Sequence, residues 1–202
     1  MAVTTPGPAM AGAWQLFGTQ EVRAEDVDAF TKWTGMLQRF GQEPDAADLP
    51  LPCGRGQAAP CRADRPRHLD PALAEQPMEQ QLRTVNRLMN DALYIFDWDN
   101  WGVADYWATP LEFAARDGDC EDYAISKYLA LKALGVAAER MRIVVLQDTN
   151  LNIAHAVLAV AWDERIWILD NQVREMVPHD RVHHYRPIYS INEQAWWRHI
   201  GS

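Results

Sequence analysis

The sequence has few cysteines, three in 202 residues, few basic residues relative to acidic ones, and no apolar run of about 18 residues. Three cysteines allow at most one bridge and leave one spare thiol. Without a long apolar run there is no transmembrane helix, so no direct membrane insertion is expected. Nineteen Lys and Arg against twenty-eight Asp and Glu give a formal charge of −9, which repels phosphate backbones and argues against nucleic acid as a partner. Met1 to Gly18 lacks the basic start and apolar centre of a signal peptide, as in a cytoplasmic chain or one whose signal has been removed. The remaining balance, 48% hydrophobic, 10% aromatic and 23% charged, is that of a folded domain.

Residues 1–13 are small and turn-rich and read as a mobile arm, with a single domain expected over 14–202. Val27, Phe30, Trp33, Leu37 and Phe40 recur at helical spacing, which predicts an amphipathic helix from Asp26 to Phe40. Residues 42–77 hold seven of the twelve prolines together with Cys53 and Cys61, and read as a long irregular surface loop that a Cys53–Cys61 bridge would pin. His68 beside these cysteines lacks the fourth partner of a zinc site. Helices are expected over Met78 to Phe96, from Thr109 to Ala115, and from Cys120 to a stop at Gly135. From Met141 the pattern becomes β-branched: strands are expected at Arg142–Leu146, Ile153–Trp162, Arg165–Asp170 and Pro187–Ile191, then a terminal helix from Asn192 to Ile200. Helices first and an antiparallel sheet afterwards define an α+β fold.

Cys120 falls at a helix start, His155 near the start of one strand and Asp170 near the end of the next. With Asp163-Glu164 as a two-residue turn, positions summing to 327 pair across the hairpin, so His155 and Asp170 become diagonal neighbours on one face, about 7–8 Å apart at the backbone. A helix start lowers a thiol's pKa and offers free N–H groups to an oxyanion. Cysteine, histidine and an orienting carboxylate form a scheme for acyl transfer, with Cys120 attacking a carbonyl, His155 moving the proton and Asp170 fixing the tautomer. Each residue alone also has a packing or turn explanation.

The stretches GDCEDYAISKYLALKALGV, AHAVLAV and ILDNQ, with DYWATPLEF before them, resemble the bacterial transglutaminase-like cysteine proteases of the LapG-like periplasmic type, over roughly Met78 to Ser190. The resemblance implies a papain/transglutaminase-like core, N-terminal helices packed on an antiparallel sheet, and a catalytic triad of Cys120, His155 and Asp170. It further implies a periplasmic endopeptidase that cleaves the N-terminal region of a large surface adhesin, commonly at an Ala-Ala pair, releasing biofilm cells. The periplasmic domain of an inner-membrane cyclic-di-GMP receptor would be its regulatory partner. An oxidising compartment would favour the Cys53–Cys61 bridge.

Asp117, Asp119, Glu121 and Asp122 crowd the same cysteine. Acids are common in a first helical turn, but like charge beside a thiolate opposes its formation, a conflict that a hard, oxygen-preferring cation such as calcium would remove. The family resemblance implies calcium dependence, with Asp119 and Glu121 as the matching ligands. Trp98, Trp101, Tyr106 and Trp107 form either a groove wall or a packed aromatic loop, while His179, His183 and His184 read as a solvated loop. A transglutaminase or related acyltransferase using the same triad, and a catalytically silent binding module, remain alternatives.

Overall fold

Apolar residues run almost unbroken through the strands after Met141 because the sheet they build is covered on both faces. The computed structural model describes residues 13–43, 49–52 and 67–201. In chain order the elements are β1 (Gln20–Ala24), α1 (Thr31–Phe40), β2 (Pro50–Leu51), β3 (Arg67–His68), α2 (Met78–Met89), α3 (Asp97–Trp101), α4 (Pro110–Arg116) and α5 (Cys120–Ala133). They continue as β4 (Met141–Asp148), β5 (Ile153–Trp162), β6 (Arg165–Leu169), β7 (Val177–Pro178), β8 (Tyr185–Ile191) and β9 (Trp196–Ile200). Seven of these strands form one antiparallel sheet in the order β1-β9-β8-β4-β5-β6-β7, and β2 pairs with β3 apart from it. No helix among the described residues is long and apolar enough to cross a membrane.

One face of the sheet carries the helices. Ile143, Leu158, Val160 and Leu169 pack there with Trp33, Val85, Phe113 and the length of α5. Helix α5 is buried from Asp122 to Leu131, so it has no polar stripe; it is the central helix, packed against β5, α2 and α4. On the opposite face, Val144, Leu146, Val157, Ala159 and Ile168 pack under Trp14 and Leu16. That N-terminal segment is fastened by Arg142, whose guanidinium lies between the rings of Trp14 (3.9 Å) and Trp197 (3.6 Å) and pairs with Glu21 at 2.9 Å.

Several elements depart from the sequence expectation. Trp196–Ile200 is a strand, not a helix: Asn192 does accept N–H groups, from Gln194 at 2.9 Å and Ala195 at 3.0 Å, but closes a turn that returns the chain beside β8. Strand β1 was not anticipated, because Gln-Glu-Val-Arg-Ala is too short and polar to stand out; it forms an edge of the sheet by pairing with β9. Helix α2 ends at Met89 and the chain continues extended past Tyr94, while α1 begins at Thr31 after a turn. The Asp163-Glu164 hairpin has the expected register, Trp162 opposite Arg165 and Leu158 opposite Leu169. Residues 1–12 of the expected arm, and Cys53 and Cys61 in the expected loop, lie outside the described residues. The described parts of that loop form β2, β3 and a turn at Pro71–Glu75.

Lys127, on α5, is fully buried and its Nζ has no hydrogen-bond partner. Burial pulls its pKa down from 10.5 to about 7, against the opposing charge of Asp170. Between those two values the unfolded chain holds a proton that the folded chain does not, so this group makes stability rise with pH across that window. Lys127→Met, similar in length and uncharged, is expected to stabilise the protein by about 1–3 kcal/mol near neutral pH. The gain should shrink at mildly alkaline pH, as read from denaturation midpoints.

Candidate active site and metal centre

Two capped turns set the position of Cys120. Thr109 caps α4 in a reciprocal capping box with Glu112, and Pro110 occupies the first helical turn. The chain then turns through Asp117, at φ 59°, and Gly118 into α5. Asp122 holds this turn with both carboxylate oxygens: Oδ1 accepts the Ala108 N–H at 2.7 Å and Oδ2 the Asp119 N–H at 3.2 Å. Gly118 is required by closeness, since a Cβ there would lie 2.1 Å from Asp122 Oδ2. Cys120 is therefore the first residue of a fixed helix, where its own N–H lacks an intrahelical acceptor.

The hairpin supplies the facing groups. His155 Nε2 lies 3.0 Å from Asp170 Oδ1, and both side chains are 1% exposed. With a carboxylate at Nε2 the proton resides there, which leaves Nδ1 as the acceptor. Tyr185 Oη donates to Asp170 Oδ2, and the Gln172 N–H donates to Oδ1 at 2.9 Å. Burial alone would raise the Asp170 pKa, but the bond and charge of His155, with Tyr185 and Gln172, outweigh it and hold the carboxyl below its ordinary value. Cys120 and His155 line one cavity of about 290 Å³, whose wall also includes Tyr94, Phe96, Trp107, Ala154, Ala156 and Tyr189.

The Cys120 thiol donates to Glu121 Oε2 at 3.1 Å. Its pKa is raised well above the ordinary value by burial, then by the charges of Glu121 and Asp119, while a hydrogen bond with the Ala156 backbone acts the other way. The acids themselves resist ionisation: burial first, then Asp119, pushes Glu121 up to about 10, and burial pushes Asp97 up to about 6.

Of the four acids near Cys120 in sequence, two are used by the backbone. Asp122 is committed to Ala108 and Asp119, and Asp117 Oδ1 accepts the Leu93 N–H at 3.0 Å. The expected pair Asp119 and Glu121 instead adjoins Asp97 and Asp105; in the groups Asp97–Asp105–Glu121 and Asp97–Asp119–Asp122 the ligand atoms lie within 4.8 Å of one another. Asp97 Oδ1 and Asp119 Oδ1 are buried without a hydrogen-bond partner, as oxygens facing a cation would be. These residues fit a hard metal ion. Asp97 and Asp105 were missed because they lie 14 to 24 residues upstream of Asp119 and Glu121, Asp97 in the run DWDN and Asp105 at the start of DYWATPLEF, with no ligand spacing to join them.

Among the aromatics, Trp107 and the unanticipated Tyr94, Phe96 and Tyr189 face the cavity. Trp98 is exposed, and Trp101 stacks on Tyr106 at 4.4 Å and under Arg116. The histidine loop is less solvated than expected: His179 Nδ1 accepts the Phe17 N–H at 3.0 Å and helps seat the N-terminal segment.

A thiol at a helix start, facing an imidazole backed by a carboxylate on an antiparallel sheet, defines the papain- and transglutaminase-like class of thiol enzyme. Residues 52–202 match the family described as bacterial transglutaminase-like cysteine proteinase BTLCP. The chain belongs to that family, and is a cysteine proteinase by membership. It is similar to the solved structure of calcium-bound LapG from Legionella pneumophila, at 34% identity over 63% of this chain and 72% of that one, with a TM-score of 0.58. An EGTA-treated LapG from the same organism matches at 33% identity, over 63% and 70%, with a TM-score of 0.57. No curated protein matches the chain.

Gly118→Ala is expected to destabilise the fold by about 2 kcal/mol or more, because the new methyl group displaces Asp122 from the turn. It should also slow alkylation of Cys120. Thermal unfolding and iodoacetamide labelling read the two effects.

Proposed function

We propose that this chain is a calcium-dependent periplasmic cysteine endopeptidase that cuts the N-terminal region of a large surface adhesin, with Cys120, His155 and Asp170 as its catalytic triad. The carrying observation is that the Cys120 thiol and the His155 ring share one cavity while Asp170 fixes that ring from behind. His155 Nδ1 takes the thiol proton and the sulfur attacks the peptide carbonyl. His155 then returns the proton to the leaving amine, and water hydrolyses the thioester by the reverse sequence. Asp170 stabilises the imidazolium that forms between these steps.

Asp97, Asp105, Asp119 and Glu121 would hold the calcium ion, a reading supported by their proximity, by the unpartnered buried oxygens of Asp97 and Asp119, and by the similarity to calcium-bound LapG. Bound there, the ion supplies positive charge that lets these carboxylates ionise without opposing a neighbouring thiolate. Glu121, now hydrogen-bonded to the thiol, would turn its charge toward the metal instead. Small residues, Ala104, Ala154 and Ala156, are part of the cavity wall around Cys120, which is consistent with a substrate carrying small side chains such as an Ala-Ala pair. The periplasmic address, the adhesin substrate and control by the periplasmic domain of a cyclic-di-GMP receptor rest on the family resemblance.

Incubating the calcium-loaded protein with an adhesin fragment containing Ala-Ala, followed by mass spectrometry, tests the reading. Cys120→Ala is expected to abolish cleavage; cleavage at the wild-type rate would refute the assignment of the nucleophile. An added amine donor incorporated into the products would favour the acyltransferase alternative instead.

EGTA should stop cleavage and calcium restore it. Asp97→Asn, which removes one charged ligand, is expected to raise the calcium needed for half-maximal activity by at least about tenfold. Calcium titration of the cleavage rate measures it.

A further inference from the structure

Acyl transfer at Cys120 needs two donors for the oxyanion, and the helix start supplies only one of them directly, the Cys120 N–H. The cavity around the thiol offers few side-chain donors. Trp107 packs edge-on against Trp33, with ring centroids 6.3 Å apart, and Tyr189 lies against Phe30 at 4.9 Å, within the field of Asp105 and Glu121. Tyr94 differs from both: it lines the cavity that holds the thiol, and its backbone is bridged to Gly118, two residues before Cys120.

The backbone fixes that placement. Tyr94 forms a parallel bridge with Gly118, and the Ile95 N–H donates to Gly118 O at 2.9 Å. The Leu93 N–H donates to Asp117 Oδ1 at 3.0 Å, and Tyr123 Oη on α5 donates to Ala92 O at 2.9 Å. The segment carrying Tyr94 is thus tied on both sides to the turn and helix that carry Cys120. Its ring lies parallel to Tyr123 with centroids 6.4 Å apart and meets Phe96 edge-on at 5.3 Å, so the side chain is held in the cavity wall with little freedom to lose.

We infer that Tyr94 is a catalytic residue: its phenolic O–H is the second donor to the oxyanion that forms when Cys120 attacks a carbonyl. The inference rests on Cys120 being the nucleophile. As the sulfur lone pair forms the S–C bond, the carbonyl π pair moves onto oxygen and the negative charge leaves sulfur for that oxygen. The Tyr94 O–H donates to that oxygen, alongside the Cys120 N–H, without giving up its proton. Collapse restores the carbonyl and expels the leaving group, whose proton comes from His155 when it is an amine. A donor that strengthens as charge reaches oxygen lowers the barrier and leaves ground-state binding little changed.

The test compares two reactions of the same thiol in the calcium-loaded protein. Acylation by p-nitrophenyl acetate passes through an oxyanion; alkylation by iodoacetamide is a displacement that forms none. Tyr94→Phe is expected to slow acylation by about 10²-fold, while the alkylation rate and its pH midpoint stay at wild-type values. Unchanged acylation overturns the inference. So does a parallel fall in both reactions or a shifted alkylation midpoint, since Tyr94 would then act on the thiol or the fold. Cys120→Ala is the control: if the wild-type protein shows neither reaction at Cys120, the nucleophile assignment fails, whatever Tyr94 does.

Discussion

The grip of the Asp122 carboxylate on the backbone before α5 is the constraint on which the site depends. One oxygen holds Ala108, at the entry to α4, and the other holds Asp119, at the start of α5. Together they fix the turn between two helices so that Cys120 points at β5. The price is a glycine at 118, because any side chain there would meet the carboxylate. The Gly-Asp-Cys-Glu-Asp run therefore divides its work by position: the glycine makes room, the last aspartate clamps, and the acids flanking the cysteine remain open to a ligand.

That division creates an electrostatic conflict next to the thiol. Burial pushes Asp97, Asp119 and Glu121 all toward their neutral forms, and the thiol is pushed the same way. Three acids and a thiol that resist ionisation together describe a site balanced for an added positive charge. Across the cavity the opposite arrangement holds. Asp170 is equally buried, yet His155, Tyr185 and Gln172 satisfy it so fully that it stays below its ordinary pKa. The carboxylate behind the imidazole needs nothing further, whereas those beside the thiol do.

Much of this was legible in the chain. The strands after Met141, the hairpin register around Asp163-Glu164 and the helix start at Cys120 all follow from local patterns, with side-chain alternation, turn residues and caps acting within a few positions. The meeting of His155 and Asp170 was legible for the same reason, since a two-residue turn fixes which residues face each other. The expected C-terminal helix failed because an Asn cap and a Trp pair are equally compatible with a turn leading into a strand. The free edge of β8 decided between them.

What the sequence by itself determined is the chemistry of each part: the order of cysteine, histidine and aspartate, the acids around the thiol, and an α+β succession of elements. Only the tertiary structure decided which groups share a space. Asp97, Asp105 and Tyr94 reach the cysteine because the segment between α2 and α4 folds back along Gly118, over separations that no local pattern encodes. The same packing gives oxygens of Asp117 and Asp122 to backbone N–H groups, while Asp122 still adjoins Asp97 and Asp119. Residue type sets what a side chain is able to do, whereas the burial and hydrogen bonds imposed by distant chain segments set whether it is free to do it.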